Sequence, residues 1–276
     1  MELRKENRIL KYSLITISFL FLGVFLILPL IYIVTTALKS GIAGYIKAVT
    51  DEYALKATLL TIEATAFAVI INTIFGVAAA WLVTKYAFRG KKLLSTFIDL
   101  PVTVSPIIAG LIYVLTFGRQ SSLYPFLDAH GIQIIFAVPG IVLATIFVTF
   151  PFISRELIPV LTAQGTDEEE AAAIMGAGTA TIFRKVTFPH IKWALLYGIV
   201  LCTARAMGEF GAVSVLSGHL RGKTNTLPLY IELLYQGYDF TGAFAASSLL
   251  VILAVVVLIL RLVIEKRGQK ELDLDK

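Results

Sequence analysis

The chain has 276 residues, of which 57% are hydrophobic and 16% charged, too few charges to solvate a globular surface of this size. Its net charge of +5 does not indicate a nucleic-acid partner, because Lys and Arg gather at the ends of apolar runs. The single cysteine, Cys202, excludes a disulfide framework and a cysteine-cluster metal site, and three scattered histidines do not suggest a metal site. The composition therefore predicts a polytopic membrane protein without a bound metal.

Six apolar runs reach the length of about 20 residues that a helix needs to cross a bilayer. They lie at 14–38, 57–83, 95–117, 133–155, 194–216 and 242–264. A basic tail, 1–13, precedes the first run, which is too long for the core of a secretory signal and is expected to stay in the mature protein. We therefore expect an all-α polytopic membrane protein with six transmembrane helices, forming a single domain over 1–276 whose short tails leave no room for a fused nucleotide-binding domain.

The distribution of Lys and Arg predicts the orientation of the chain. With the N-terminus in the cytoplasm, 17 of the 24 basic residues fall in inner segments, six fall outside and Arg205 lies within a span. Basic residues favour the cytoplasmic side of a membrane. We therefore expect a multi-pass protein of the cytoplasmic (inner) membrane with both termini in the cytoplasm.

The predicted third span, 95–117, is interrupted by Pro101, Pro106 and Gly110. A proline in a membrane helix frees backbone carbonyls that need other partners, and non-helical backbone at membrane depth is tolerated where it lines a cavity. Small residues at such positions also allow close helix packing, which stays open as an alternative. Asp99, at the cytoplasmic end of this span, is expected to cap the helix.

The polar segment 166–189, TDEEEAAAIMGAGTATIFRKVTFP, separates the fourth and fifth spans. Thr166 followed by Glu169 is the pattern of a capping box, and acidic residues favour the first turn of a helix. Two glycines then favour a sharp turn, and Pro189 is expected to end a second helix. The segment therefore predicts two short helices joined by a glycine turn, lying in water on the cytoplasmic face of the membrane.

This segment resembles the EAA loop of ABC importer permeases. In that loop a Glu-Ala-Ala run is followed after three residues by Gly, and nine residues later by a hydrophobic residue, any residue, a hydrophobic residue and Pro. The matching residues are Glu170, Ala171, Ala172, Gly176, Val186, Phe188 and Pro189. Val and Phe stand where Ile and Leu are usual. The resemblance implies coupling helices that dock into a groove on an ATP-hydrolysing subunit.

In the predicted fifth span, Arg205 and Glu209 lie four residues apart and are expected to share one helical face. Either charge alone at mid-membrane costs about 3 kcal/mol on insertion scales, and pairing reduces that cost. Two interpretations remain open, a structural ion pair or a guanidinium that lines an anion pathway. The candidate pathway residues are Thr103, Ser105, Pro106, Arg205, Glu209, Ser214 and Ser217.

Longer stretches narrow the resemblance. IDLPVTVSPIIAGLIYVLTFG, ARAMGEFGAVSV and SGHLRGKTNTLPLYIELLY look like the W-type permease subunit of the sulfate/thiosulfate importer, with similarity over 25–265. The resemblance implies a type I ABC importer permease that moves sulfate or thiosulfate. Its implied partners are a homologous T-type permease, two ATPase subunits that bind ATP and Mg, and an extracytoplasmic sulfate-binding protein.

The sequence contains no Walker A pattern, GxxxxGK[ST], and no cluster of side chains typical of a catalytic site. We therefore expect a chain that is not an enzyme, holds no cofactor and takes its energy from a partner ATPase. Two alternatives remain: a molybdate or tungstate permease that works as a homodimer, and an ATP-independent anion carrier. A homodimer needs no second permease chain, and a carrier leaves the EAA spacing without an explanation.

Overall fold

The structure, a computed structural model, describes residues 8–274, with side chains described for 10–268. Within these residues the backbone forms helices, turns and loops and no strand, which confirms the predicted all-α class. The first helix already begins within the predicted tail, and residues 1–7 of that tail lie outside the described part. The helices are α1 (Arg8–Leu22), α2 (Leu28–Ala37), α3 (Gly41–Val49), α4 (Glu52–Lys85), α5 (Lys91–Thr103), α6 (Pro106–Phe117), α7 (Tyr124–Ala129), α8 (Val138–Thr149), α9 (Pro151–Gln164), α10 (Asp167–Ile174), α11 (Thr179–Ile182), α12 (Phe188–Met207), α13 (Gly211–Leu216), α14 (Leu227–Gln236) and α15 (Phe240–Leu274).

Among the described residues, five helical segments are long and apolar enough to cross a membrane. They are Leu10–Ala37, Glu52–Lys85, Val138–Gln164, Thr179–Met207 and Phe240–Gly268. The first combines α1 and α2. A wide (π-helical) turn, Gly23–Ile27, joins these two helices without a break. A sixth span results if α5 and α6, which are bent by 109° relative to each other, count as one. With that bent pair counted as one span, the described residues contain six spans, the number that the sequence predicts.

The predicted third span, 95–117, is not a continuous helix, because it breaks between α5 and α6. Ser105 has an extended backbone, with ψ of 133°, as expected for a residue before proline. Pro106 then starts α6 without a backbone N–H to continue the preceding helix. Pro101 lies inside α5 and does not end it. The bend therefore occurs at the second of the two prolines.

The fourth span runs over Val138–Gln164 rather than the predicted 133–155. Phe136, just before it, has a left-handed backbone with φ of +58°, which a right-handed helix does not accept. Gly165, just after it, has φ of +72° and ends the helix. Apolar residues continue on both sides of Phe136, so hydropathy alone does not locate the start of this span.

The fifth span, Thr179–Met207, starts fifteen residues before the predicted 194–216 and ends before its last residues. It passes through Pro189, so the prediction that this proline ends a helix is wrong. A wide helical turn, Phe183–Thr187, directly precedes α12 and interrupts the regular hydrogen-bond ladder. Pro189 therefore lies in the first turn of α12, where proline is tolerated because a backbone N–H has no helical partner there.

The described chain divides into two compact units. The smaller comprises 8–51 and 231–249, where Tyr32 packs edge-on against Phe244 at 5.5 Å between ring centres and Tyr45 hydrogen-bonds Ser248 at 2.9 Å. The larger comprises 52–230 and the rest of α15. The single domain over 1–276 stays a prediction.

The larger unit is built around α4, which contributes to two buried clusters. One cluster joins α4 to α8, α13 and α14 through Leu60, Ala64, Ile141, Ala144, Val148, Ala212, Val213, Leu216 and Leu229. The other joins α4 to α9 and α12 through Ala80, Ile153, Leu157, Leu161, Ile191, Leu195 and Cys202. Because one helix packs in both clusters, α4 connects the end near α13 with the end near α10.

A buried polar contact fixes the middle of α4. The amide of Asn72, which is fully buried, donates to the Thr149 hydroxyl at 2.8 Å and to the Ile146 carbonyl at 3.2 Å. The thiol of Cys202 donates to the Thr149 carbonyl at 3.7 Å. Polar side chains that hydrogen-bond across membrane helices stabilise a particular packing. This cluster therefore sets the register of α4, α8 and α12.

Candidate functional site

The segment 166–189 contains the predicted helix-turn-helix. Helix α10 ends in a reversed turn in which the N–H of Ala177 donates to the Ala172 carbonyl at 3.0 Å and that of Gly176 to the Ala173 carbonyl at 2.9 Å. These two bonds define a Schellman motif, whose key residue adopts a left-handed backbone. Gly176 is that residue, with φ of +85°. The glycine of the EAA pattern therefore reverses the chain after α10.

The predicted capping box at Thr166 and Glu169 is wrong. Thr166 precedes α10, but its hydroxyl donates to the carboxylate of Glu170 at 2.8 Å and caps no backbone N–H. Glu169 turns away from the backbone and contacts Lys85 and Thr187 instead. A cation and a hydroxyl from other helices therefore replace the local partner that the sequence pattern suggests.

The turn after α10 presents two apolar side chains to the surroundings. Ile174 is 87% exposed and Met175 is 81% exposed, although both are large and hydrophobic. They lie directly before Gly176, beside the exposed residues Glu170 and Ala171. Sequence reasoning missed these two residues, although a pair of large apolar residues inside a polar segment was the available signal. Exposed apolar groups at the tip of a loop are suited to contact with another protein.

The remaining residues of the EAA pattern are Ala172, on α10, and three residues where α11 passes into α12. Ala172 is buried, at 8% exposure, and faces the body of the larger unit. Val186 is half-buried, while Phe188 and Pro189 are exposed. The structure therefore places part of the pattern on the accessible tip and part at the beginning of a spanning helix.

A buried ionic contact joins α10 to the end of α4. The ammonium of Lys85 lies 3.1 Å from the Glu169 carboxylate, and the two side chains are 5% and 13% exposed. Lys85 also donates to the carbonyl of Gly165, and the hydroxyl of Thr187, a fully buried residue, donates to the same Glu169 oxygen at 2.6 Å. Neither Lys85 nor Thr187 belongs to the EAA pattern. Only Glu169 carries a sequence signal, as an acid in the first turn.

Two helix breaks lie against each other in the membrane-spanning part. One separates α5 from α6, and the other separates α12 from α13 at 208–210. A Cβ atom on Gly211 would lie 2.9 Å from Cβ of Pro106, and one on Gly110 would lie 2.7 Å from the Ala212 carbonyl oxygen. The two glycines therefore allow the backbones of α6 and α13 to approach closely, as small residues do in membrane proteins.

Arg205 and Glu209 form an ion pair at the second break. The Arg205 Nη1 atom lies 2.7 Å from Glu209 Oε2, and the side chains are 33% and 2% exposed. The other carboxylate oxygen accepts the N–H of Ala212 at 2.8 Å. The predicted common helical face is wrong, because α12 ends at Met207 and Glu209 lies beyond it. The pair thus connects the end of α12 to the start of α13.

The structure separates the other predicted pathway residues. Thr103 donates to the Leu100 carbonyl at 2.8 Å, and Ser214 donates to the Gly211 carbonyl at 2.8 Å, so each hydroxyl bonds its own helix. Ser105 is exposed at the break before α6. Ser217 is fully buried, and its hydroxyl accepts the N–H of His219 at 3.2 Å.

Asp99 does not cap a helix as predicted. It lies inside α5, and its carboxylate accepts a hydrogen bond from Arg155 Nε at 2.7 Å. Both side chains are about half exposed, at 49% and 48%. Arg155 on α9 supplies a cation that the local sequence around Asp99 does not contain, which is why the helix cap was the simpler expectation.

The sequence matches the family described as the binding-protein-dependent transport system inner membrane component, over residues 72–269. The chain belongs to this family. It is 47% identical over 268 residues to the sulfate transport system permease protein CysW of Escherichia coli (strain K12), covering 95% of this chain and 92% of that protein. It is 46% identical over 268 residues to CysW of Synechococcus elongatus, covering 97% and 94%. The resemblance to W-type permeases inferred from the residues is confirmed.

Solved structures of importers share the fold of this inner membrane component. A bacterial ABC transporter involved in the import of the acidic polysaccharide alginate matches with a TM-score of 0.77, 18% identity and 95% of each chain covered. The MetNI methionine ABC transporter, in inward-facing conformations, matches with a TM-score of 0.53 and 19% identity, covering 79% of this chain and 93% of that one. These likenesses confirm the type I ABC importer permease fold.

The contact between α6 and α13 in this inner membrane component leads to a test of packing. We expect Gly211→Leu to destabilise the solubilised protein by about 1–3 kcal/mol, as overpacking does. The matched control is Gly208→Leu, because in the described part of the chain a Cβ there has one neighbour within 4 Å, the Ala204 carbonyl oxygen at 3.9 Å. Thermal unfolding in detergent measures both. Equal melting temperatures for the two variants would contradict the close contact of α6 with α13.

Proposed function

We propose that this chain is the permease subunit of an ATP-driven importer of sulfate and thiosulfate, coupled to a separate ATPase through the loop 166–189. The observation that carries the coupling is the exposed apolar pair Ile174 and Met175, held beside Glu170 by the turn at Gly176. The oxyanion assignment is supported by the 47% identity to a permease named for sulfate transport.

The coupling residues are Glu170, Ala171, Ala172, Gly176, Val186, Phe188 and Pro189. We assign the first four to the docking helix and its turn, with Ile174 and Met175 as additional contacts. Val186, Phe188 and Pro189 carry the chain directly into α12, because the helical segment Thr179–Met207 has no loop within it. Movement of the docking turn is therefore transmitted along α12, which moves as a rigid helix.

Arg205 lies in the last turn of α12, at the end opposite the docking turn, and Glu209 lies just beyond that end. Arg205 closes the last turn of α12, and Glu209 contacts the N-terminus of α13, which packs against Pro106. A displacement of α12 thus changes the contact between the two helix breaks. We propose that the pathway passes these breaks, and that the chain segments flanking them contribute Thr103, Ser105, Pro106, Arg205, Glu209 and Ser214. Ser217, just past the end of α13, is included in the same proposal, and like Glu209 it is buried.

The electrostatics of the pair suit a transient contact with an anion. The guanidinium of Arg205 is one-third exposed and carries five N–H donors, and its Nη1 atom lies 2.7 Å from Glu209 Oε2. Because Glu209 neutralises the charge of Arg205, an oxyanion can accept hydrogen bonds from the guanidinium without being strongly bound to it. Weak binding of this kind allows release on the other side of the membrane.

The proposed assembly contains a T-type permease, two ATPase subunits and an extracytoplasmic sulfate-binding protein. ATP and Mg belong to the ATPase, and this chain is not assigned an enzymatic activity or a cofactor. Both termini are placed in the cytoplasm, supported by the excess of Lys and Arg in the inner segments. The same orientation brings 166–189 to the side of the membrane where ATP is present.

Uptake by intact cells tests the proposed function. We expect cells that lack this permease to regain uptake of radiolabelled sulfate when the chain is restored, and excess thiosulfate to compete. Molybdate and tungstate are expected not to compete at the same concentration. Restored uptake of molybdate alone would assign the chain to the alternative oxyanion, and sulfate uptake that persists after the ATPase is removed would indicate a carrier.

A further inference from the structure

We propose that Lys85, Glu169 and Thr187 form a latch that transfers movement of the docking helix α10 into α4 and α12 together. The inference rests on the proposed function, since it concerns how the coupling loop acts on the spans. The three are positioning residues, because none of them lies on the exposed tip beside Ile174 and Met175.

Helix α10 cannot hold its own orientation. It has eight residues, whereas an isolated helix in water is marginal below about 12 residues. The Schellman turn at Gly176 reverses the chain but leaves the direction of α10 undetermined. The contacts of Glu169 with two other helices, together with the buried side of Ala172, therefore set its direction.

Each member of the latch lies at a point where movement can be passed on. Lys85 is the last residue of α4, and its ammonium contacts both Gly165, before α10, and Glu169, within α10. Thr187 is the last residue of the wide turn that leads into α12. A shift of α10 therefore pulls on the ends of two spanning helices at once.

Burial distinguishes this contact from a neighbouring one on the same helix. Glu168 pairs with His190 at 2.9 Å, but the two side chains are 57% and 47% exposed. Water and ions weaken such an exposed pair, whereas they scarcely reach Lys85 and Glu169. The neighbouring acids Glu168 and Glu169 therefore form a matched pair for an experiment.

The chemistry of a buried ion pair predicts how variants behave. Removing one partner leaves an uncompensated buried charge, which is the costly state, while removing both is much milder. Glu169→Gln and Lys85→Met each create that state, and the double variant does not. Thr187→Val removes the hydroxyl at nearly constant volume, and Thr187→Ser keeps it.

The test uses the complete importer in proteoliposomes, with sulfate uptake and ATP hydrolysis measured on the same samples. We expect Glu169→Gln and Lys85→Met each to lower uptake per ATP hydrolysed by about tenfold or more. The double variant is expected to regain stability, because it leaves no uncompensated buried charge, but to keep the low ratio, because it also lacks the contact. Glu168→Gln is expected to stay within about twofold of wild type. The ATPase is expected to co-purify with every variant.

Several outcomes would overturn the latch. One is a wild-type ratio of uptake to hydrolysis in Glu169→Gln, and another is an equal loss in Glu168→Gln. Loss of the ATPase from Glu169→Gln would make Glu169 a docking contact and not part of a latch. If the charge variants do not accumulate in the membrane, the proposal is tested at Thr187. Thr187→Val is expected to lower the ratio of uptake to ATP hydrolysis, and Thr187→Ser is expected to keep it near the wild-type value. Equal ratios for the two would contradict the proposal.

Failure of the proposed function would look different from failure of the latch, because the wild-type importer would then show no ATP-dependent sulfate uptake.

Discussion

Replacing Gly176 by Asp is expected to abolish most ATP-driven uptake while the protein still reaches the membrane. Gly176 has φ of +85°, and a side chain there costs about 1–2 kcal/mol in the backbone for an ordinary residue. Apart from Gly176 itself and its two neighbours in sequence, no atom of the described residues lies within 4 Å of the position that a Cβ would take, so the new side chain meets no crowding there. It projects from the docking turn beside Ile174 and Met175, where a charge opposes burial against a partner.

Three comparison variants separate backbone strain from charge at the docking surface. Asn and Asp have nearly the same shape and both tolerate the left-handed conformation, so Gly176→Asn, which adds no charge, is expected to retain more uptake than Gly176→Asp. Gly178 also has open space around it but an ordinary φ of −71°, so Gly178→Asp tests a charge two residues away without strain. Gly176→Ala tests strain without charge. Uptake per cell and the amount of ATPase bound to the membrane are the measurements. Normal uptake by Gly176→Asp would contradict the docking role of the turn.

The ion pair of Arg205 and Glu209 is expected to respond unequally to removal of its two members. Arg205→Ala leaves the carboxylate of Glu209, which is 2% exposed, without its cation, at a cost of about 3–5 kcal/mol. Glu209→Ala leaves a guanidinium that is 33% exposed and can orient towards water, so it is expected to be milder. The double variant is expected to be more stable than Arg205→Ala alone, because it leaves no buried charge.

Accumulation in the membrane and thermal unfolding in detergent compare the four proteins, and sulfate uptake separates stability from transport. If the double variant is no more stable than Arg205→Ala, the two charges do not compensate each other and the structural interpretation of the pair fails. Uptake that stays absent in a stable double variant would instead favour a direct role of Arg205 on the anion pathway.

Features determined by local chemistry could be predicted from the sequence. The spans follow from runs of apolar residues, and the turn after α10 follows from a glycine at the position where a left-handed backbone is needed. The close pairing of Arg205 with Glu209 follows from the cost of a lone charge in the membrane. Each of these depends on residues close together in sequence.

Features determined by distant residues could not be predicted. Glu169 abandons the capping box because Lys85, 84 residues earlier, and Thr187 offer it a buried cation and a hydroxyl. Asp99 pairs with Arg155 from another helix for the same reason. The sequence also does not show which prolines interrupt a helix, since Pro106 breaks a span whereas Pro189 lies inside one. A proline restricts its own turn, but the neighbouring backbone decides whether the helix resumes in line.

The most direct test of the account is affinity purification of this permease from its native membrane, with mass spectrometry of the proteins that accompany it. We predict recovery of an ATPase and of a second, distinct permease, and loss of the ATPase when Ile174 and Met175 are both changed to Asp. Recovery of an ATPase with this permease alone would contradict the proposed pairing and favour the homodimeric oxyanion importer. Absence of any ATPase, under conditions that preserve complexes, would contradict the assignment of 166–189 as a coupling loop.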